Sequence, residues 1–142
     1  MDNELLDDRI LTEISQLVNI TQDAIDDALV THSSNYVWYS VLLTRASSKR
    51  LKLKFRLDVL RAELSKSIRA QAAQDGIKLT EAMVENEILT NPEYQAKYEE
   101  FLSAREQEGV LEALVKGMEQ RKDLLVSYVS LRREELKSKV AM

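Results

Sequence analysis

KRLKLKFRLDV, Lys49 to Val59, alternates basic residues at 50, 52, 54 and 56 with apolar ones at 51, 53, 55, 57 and 59. Alternation with period two is the signature of a half-buried strand. The stretch nevertheless has little β-branched content, and no second alternating segment exists for it to pair with. From Tyr36 to about Gln74 there is neither Gly nor Pro, and the tail LRAELSKSIRAQAAQ, residues 60–74, is rich in strong helix formers. The stretch therefore reads as helix, and the chain as all-α.

A helical reading sorts these residues into four rows. At about 100° per residue, Leu42, Ala46, Leu53, Leu57, Leu60 and Leu64 form one apolar stripe, while Val41, Leu51, Phe55, Val59 and Ala62 form a second on roughly the opposite side. Between them run two basic ridges. Arg45, Lys49, Lys52 and Arg56 project together, with Trp38 in line; Arg50, Lys54 and Arg61 project from the other side, with Tyr36 in line. Two apolar faces require two coverings: either the chain's own long C-terminal helix on one face and another subunit on the other, or a single bundle that covers both.

Working outward, Asp75-Gly76 is a helix stop in which glycine supplies the left-handed residue. Thr80-Glu81 starts a short helix running to about Leu89, and Asn91-Pro92-Glu93 starts another, with Asn as cap, Pro at the first helical position and Glu in the first turn. From Pro92 the helix is expected to persist to about Lys139, on the order of 70 Å at 1.5 Å per residue. Leu111, Leu114, Met118, Leu125, Tyr128 and Leu136 give it a broken seam, interrupted by Arg121 and Arg132, that suits a coiled-coil-like contact between subunits. On the N-terminal side, Ile10, Leu11, Ile14, Leu17 and Val18 share one helical face behind a cap at Asp7 or Asp8, and Thr21 can cap a second element containing Ala24, Ile25, Ala28 and Leu29. Around His32-Ser33-Ser34-Asn35 the pattern weakens, so a break or kink is expected before Tyr36.

With 142 residues, the chain suits one helical domain, divided into an acidic segment 1–31, a basic central helix 36–75, a short helix 80–89 and a long C-terminal helix 92–139. Three Gly and one Pro leave few of the turns that a sheet protein needs. No Cys and a single His argue against disulfide, thiolate-metal and histidine-metal chemistry. The acidic start MDNELLDDR and the lack of an apolar run of roughly 20 residues point to a cytoplasmic protein, in which the Asn19-Ile20-Thr21 sequon is coincidental.

The net charge of -4 hides a segregation. Residues 1–31 carry eight acids and one Arg, residues 45–69 nine bases against Asp58 and Glu63, and residues 81–119 ten acids against three bases. A positive band between acidic blocks suits a polyanion, and cations interleaved with flat rings suit single-stranded nucleic acid. The same pattern also fits a solvated helix face ion-paired with the acidic 81–119 segment. Trp38, with Tyr36 and Tyr39, is either a stacking platform or core beside Val37, Val41 and Leu42. Glu99, Glu100, Glu106, Glu108 and Glu112 read as a solvated helix face, because no Glu-x-x-His pair accompanies them. His32 beside Ser33 and Ser34 lacks a third catalytic group, and there is no glycine-rich phosphate loop. An enzyme is therefore not expected.

The segment Leu53-Lys54-Phe55-Arg56-Leu57-Asp58, preceded by Tyr39-Ser40, resembles the Leu-Lys-x-Arg-Leu-Asp segment of the UvsY family of bacteriophage recombination mediators. Further on, Lys78-Leu-Thr-Glu-Ala, Asn91-Pro-Glu-Tyr-Gln and Glu119-Gln-Arg-Lys-Asp-Leu-Leu look like UvsY-like proteins of other tailed phages. The chain departs from the family pattern in continuing its basic helix through LRAELSKSIRAQAA. The resemblance implies a non-catalytic accessory protein of DNA recombination and repair that forms ring-like homo-oligomers and binds single-stranded DNA. It also implies contacts with a single-strand-binding protein and a RecA-like recombinase, the latter being loaded onto DNA coated by the former. It assigns DNA contacts to Lys54 and Arg56, which on a straight helix project about 160° apart.

The expectation is thus an elongated helical bundle or hairpin that assembles through its C-terminal helix. Lys49, Arg50, Lys52, Lys54 and Arg56 would contact phosphates, with Arg45 and Arg61 behind them and Trp38 as a candidate stacking ring. No cofactor, metal or membrane is implied. The acidic segment DNELLDD through AIDDA suits a basic protein surface or a plain soluble flank. The competing class is a helical scaffold whose basic band only satisfies acidic neighbours.

Overall fold

The computed structural model describes Thr12 and residues 25–142. The N-terminal amphipathic segment, its Asp7 or Asp8 cap, the sequon and the Thr21 cap lie outside the described residues. Among these residues there is no strand, and three helices follow one another: α1 (Ile25–Gln74), α2 (Glu81–Thr90) and α3 (Pro92–Val140). KRLKLKFRLDV lies well inside α1.

The helix ends are set locally. Gly76 has φ +68°, and the Ile77 N–H donates to Ala72 O at 2.9 Å while the Gly76 N–H donates to Ala73 O at 3.4 Å. This is the paired closure of a helix by a left-handed residue, available to glycine without a Cβ penalty. Thr80 caps α2 by accepting the Met83 N–H at 3.2 Å, and Asn91 Oδ1 accepts the Tyr94 N–H at 3.0 Å ahead of Pro92 at the start of α3.

One boundary differs from the sequence reading. Instead of starting near Tyr36 after a break at 32–35, α1 is continuous from Ile25. The polar residues that weaken the pattern are accommodated by folding back onto the helix: Thr31 Oγ1 donates to Asp27 O at 2.8 Å and Ser34 Oγ to Thr31 O at 3.1 Å. His32 is buried, its ring stacked at 6.2 Å on Tyr36 one turn later, and Ile25 and Ala28 are buried on the same side of the helix. Burial of this face outweighs the weak local propensity.

The chain divides into two compact units, Met1–Thr44 with Gly109–Met142, and Arg45–Glu108. Each long helix contributes to both. In the second unit Leu57, Val84, Ile88 and Tyr94 form the buried core, with Leu60, Leu64, Ile68, Leu79 and Phe101 packed against it. Tyr94, Tyr98 and Phe101 line up along α3, with successive ring centroids 6.2 Å apart. In the first unit Ile25 and Ala28 pack with Leu125, flanked by Tyr128.

Of the six residues expected to form a subunit seam, five are covered within the chain itself. Leu111, Leu114, Met118 and Leu125 are buried within the first unit and Tyr128 packs beside its core, whereas Leu136 stays 59% exposed. The first five thus serve the chain's own core, because the spacing that suits an intermolecular seam suits an intramolecular one equally. Arg121, the first interruption of the seam, is buried with it, while Arg132 lies over the Tyr128 ring at 6.0 Å.

Candidate nucleic-acid interface

Within the Arg45–Glu108 unit, the four rows of α1 separate into two kinds of surface. Leu57 is buried, and Ala46, Leu53, Leu60 and Leu64 of the same stripe are half-buried. The opposite stripe is open: Leu51 is 57% exposed, Phe55 70% and Val59 39%. The unit therefore covers one apolar face of the helix and leaves the other bare.

The basic ridge beside the covered stripe is engaged. Arg50 donates to Glu108, which also accepts the Ser47 hydroxyl. The Ser47 hydroxyl, and then the Arg50 guanidinium, hold the Glu108 carboxyl below its usual range. Arg61 donates to Glu85 and, at 3.4 Å, to the Tyr94 hydroxyl, and the Glu85 hydrogen bond pushes its pKa above the ordinary value. Arg69, about two turns further on, places Nη2 at 2.8 Å from both Glu81 oxygens. These acids belong to the 81–119 block, so this side realises the ion-paired reading of the charge pattern. Lys54 pairs with Asp58 at 2.7 Å within α1. The Arg61 and Arg69 pairs are largely exposed and contribute on the order of 0–1 kcal/mol each. Their main consequence is that these cations are occupied.

The other ridge is not. Arg45, Lys49, Lys52 and Arg56 are all exposed, and among the described residues none has an ion-pair or hydrogen-bond partner. Their i, i+4, i+7, i+11 spacing aligns four positive groups along one edge of the open stripe. Of the seven basic residues singled out in the sequence, the structure brings these four together as free charge and sets Arg50, Lys54 and Arg61 apart as paired. Of the two motif residues picked out by the resemblance, Arg56 falls in the free set and Lys54 in the paired one.

Trp38 is 59% exposed and belongs to the other compact unit. The aromatic ring within the set is Phe55, which the sequence reading treated only as a member of an apolar stripe. Its signal was its place between Lys54 and Arg56, one turn from Lys52.

Chemically, the surface can bind a polyanion and bury an apolar or flat group beside it. It holds no nucleophile paired with a base, and among the described residues no group of three or more potential metal ligands converges. No described helix is long and apolar enough to cross a membrane. A scan against protein-family models and searches of curated proteins and of solved structures return no match to the chain.

Proposed function

We propose that this protein is a non-catalytic recombination mediator that binds single-stranded DNA through Arg45, Lys49, Lys52 and Arg56. The carrying observation is that these four exposed cations, aligned along α1, have no acidic partner among the described residues although the chain has more acids than bases. Unpaired cations beside an open apolar stripe match the two components of a single strand, phosphates and unpaired bases. The resemblance of Leu53–Asp58 to the UvsY segment supplies the finer role: loading a RecA-like recombinase onto DNA coated by single-strand-binding protein, in the host cytoplasm. The protein acts as a homo-oligomer, so that weak contacts per subunit add by avidity.

The test is fluorescence anisotropy of a labelled mixed-sequence oligonucleotide, single-stranded and duplex, at two salt concentrations. The single strand should bind more tightly, with a salt dependence equivalent to about 0.7 counterions per phosphate neutralised, or roughly 3 for the four contacts of each subunit engaged. Charge reversal at Lys52 and Arg56 should abolish binding without changing the oligomer's size. Reversal at Arg61 alone should disturb the contact with Glu85 and leave binding largely intact. No binding of the wild-type chain at low salt would sink the proposal.

A helical scaffold without a nucleic-acid role is the second reading. It is favoured by the pairing of Arg50, Arg61 and Arg69 with Glu108, Glu85 and Glu81, which shows that much of the basic band serves the chain itself. A scaffold would be indifferent to DNA in either form.

A further inference from the structure

The chain has two phenylalanines, and their environments are opposite. Phe101 packs against the core of the Arg45–Glu108 unit, whereas Phe55 is 70% exposed on the outer side of α1 in the same unit. Leu51 and Val59 lie one turn before and one turn after Phe55 on the same open stripe, so the ring sits in an apolar strip rather than alone among polar groups. Lys52 is its i−3 neighbour, and Arg56 follows Lys52 by four residues on the free ridge. A helix places side chains at such separations side by side, about 5–6 Å apart at Cβ.

We infer that Phe55 is a base-stacking residue, and that the strip Leu51-Phe55-Val59 confers preference for single-stranded over duplex nucleic acid. The inference rests on the proposed single-strand binding at the Arg45, Lys49, Lys52 and Arg56 ridge. Charge complementarity selects the occupant. A body that covers this strip must present anionic groups to four unpaired cations along one edge and flat or apolar groups to the strip itself. A single strand does both, with its phosphates over the ridge and its unpaired bases turned onto the ring. A duplex offers the same phosphates, but its bases are already stacked, so it meets the ridge and leaves Phe55 unused. The cations thus carry the salt-dependent part of binding, and the ring the part that salt does not screen.

The experiment uses the full chain and three probes of equal length: a mixed-sequence single strand, the corresponding duplex, and an abasic single strand that keeps the phosphates but lacks bases. Phe55→Leu preserves an exposed apolar helix former and removes only the flat face. It should weaken binding to the mixed-sequence strand about 5- to 150-fold, the range expected for loss of one stacked base. Binding to the duplex and to the abasic strand should change less than about twofold, and the salt dependence should be retained, since no phosphate contact is lost. Phe55→Trp should restore the affinity.

If Phe55→Leu leaves single-strand binding intact while charge reversal at Lys52 and Arg56 abolishes it, the stacking role is overturned and the binding proposal survives. A change in molar mass by light scattering on Phe55→Leu would make the strip a contact between copies of the chain, and would equally overturn stacking. Should the wild-type chain bind no single strand at low salt, both proposals fall together.

Discussion

Arg121 is 7% exposed, and among the described residues its Nε and Nη1 are buried without a hydrogen-bond partner, as is Nδ1 of His32. Burial works against the charge of Arg121 and lowers its pKa. A buried guanidinium left unpaired costs desolvation without a compensating contact, whereas an apolar side chain of similar length at the same position incurs no such cost. Arg121→Met should therefore stabilise the fold, by roughly 1–3 kcal/mol, seen as a higher urea midpoint with an unchanged slope. A lower midpoint would show that the guanidinium has a partner that matters.

His32 belongs to the same cluster, facing Arg121 and Lys122 and stacked on Tyr36, whose hydroxyl donates to Glu119 at 3.0 Å. Burial first, then the charges of Arg121 and Lys122, lower its pKa from 6.5. The unfolded chain consequently binds a proton at this position before the folded one does as pH falls. The stability contributed by the neutral ring is full above the unfolded value and is lost as pH drops from there toward the depressed folded value. Thermal denaturation from about pH 7.5 down to about pH 5.5 should show a falling midpoint, and His32→Leu should flatten that fall. An identical pH profile in the variant would remove His32 as its source. The residue was visible in the sequence, where its surroundings suggested a break or kink. Its burial depends on neighbours on α3 that no local pattern announces.

At the scale of elements, α1 is one uninterrupted helix of 50 residues whose end is written into the chain at a single position. Gly76 is left-handed, and a Cβ added there would meet nothing within 4 Å, so replacement would be resisted by backbone conformation alone. Gly76→Ala should cost roughly 1–2 kcal/mol, measured by chemical denaturation, with the proposed DNA binding of the folded protein unchanged. A neutral substitution would mean that the turn tolerates another conformation. The caps at Thr80 and Asn91 were legible for the same reason: each acts on backbone groups two or three residues away. The two ridges of α1 were equally legible as positions on a wheel, but not in their fates. Arg61 finds Glu85 at a separation of 24 residues and Arg50 finds Glu108 at 58, and only the packing of α2 and α3 against one side of α1 brings those carboxylates within reach.

For the whole molecule, the consequence concerns assembly. Leu111, Leu114, Met118 and Leu125 are buried in the unit that contains them, so in this fold they are covered by the chain itself. In that unit Leu124, Val126, Leu131, Leu136 and Val140 of α3 remain exposed, each by more than half. Burial of such side chains contributes on the order of 1.5–3 kcal/mol each, and we propose this part of α3 for the homo-oligomer contact. Light scattering should give a mass above the 16.3 kDa of one chain, and Leu131→Asp with Leu136→Asp should lower it while preserving helicity. A wild-type mass of one chain would remove avidity from the proposed mechanism.

The sequence alone determined that the chain is helical, where the helices begin and end after residue 74, and that a basic band runs along the central one, because propensity, capping and periodicity act over a few residues. It did not determine that α1 extends back to Ile25, nor which cations are free. Those outcomes depend on which faces become covered and which acids arrive from 24 or 58 residues away, and only the tertiary structure brings them together. The same dependence left Phe55 open on a face that the sequence marked as apolar. Two apolar stripes look alike along the chain, and only packing distinguishes the one that becomes core from the one that stays exposed.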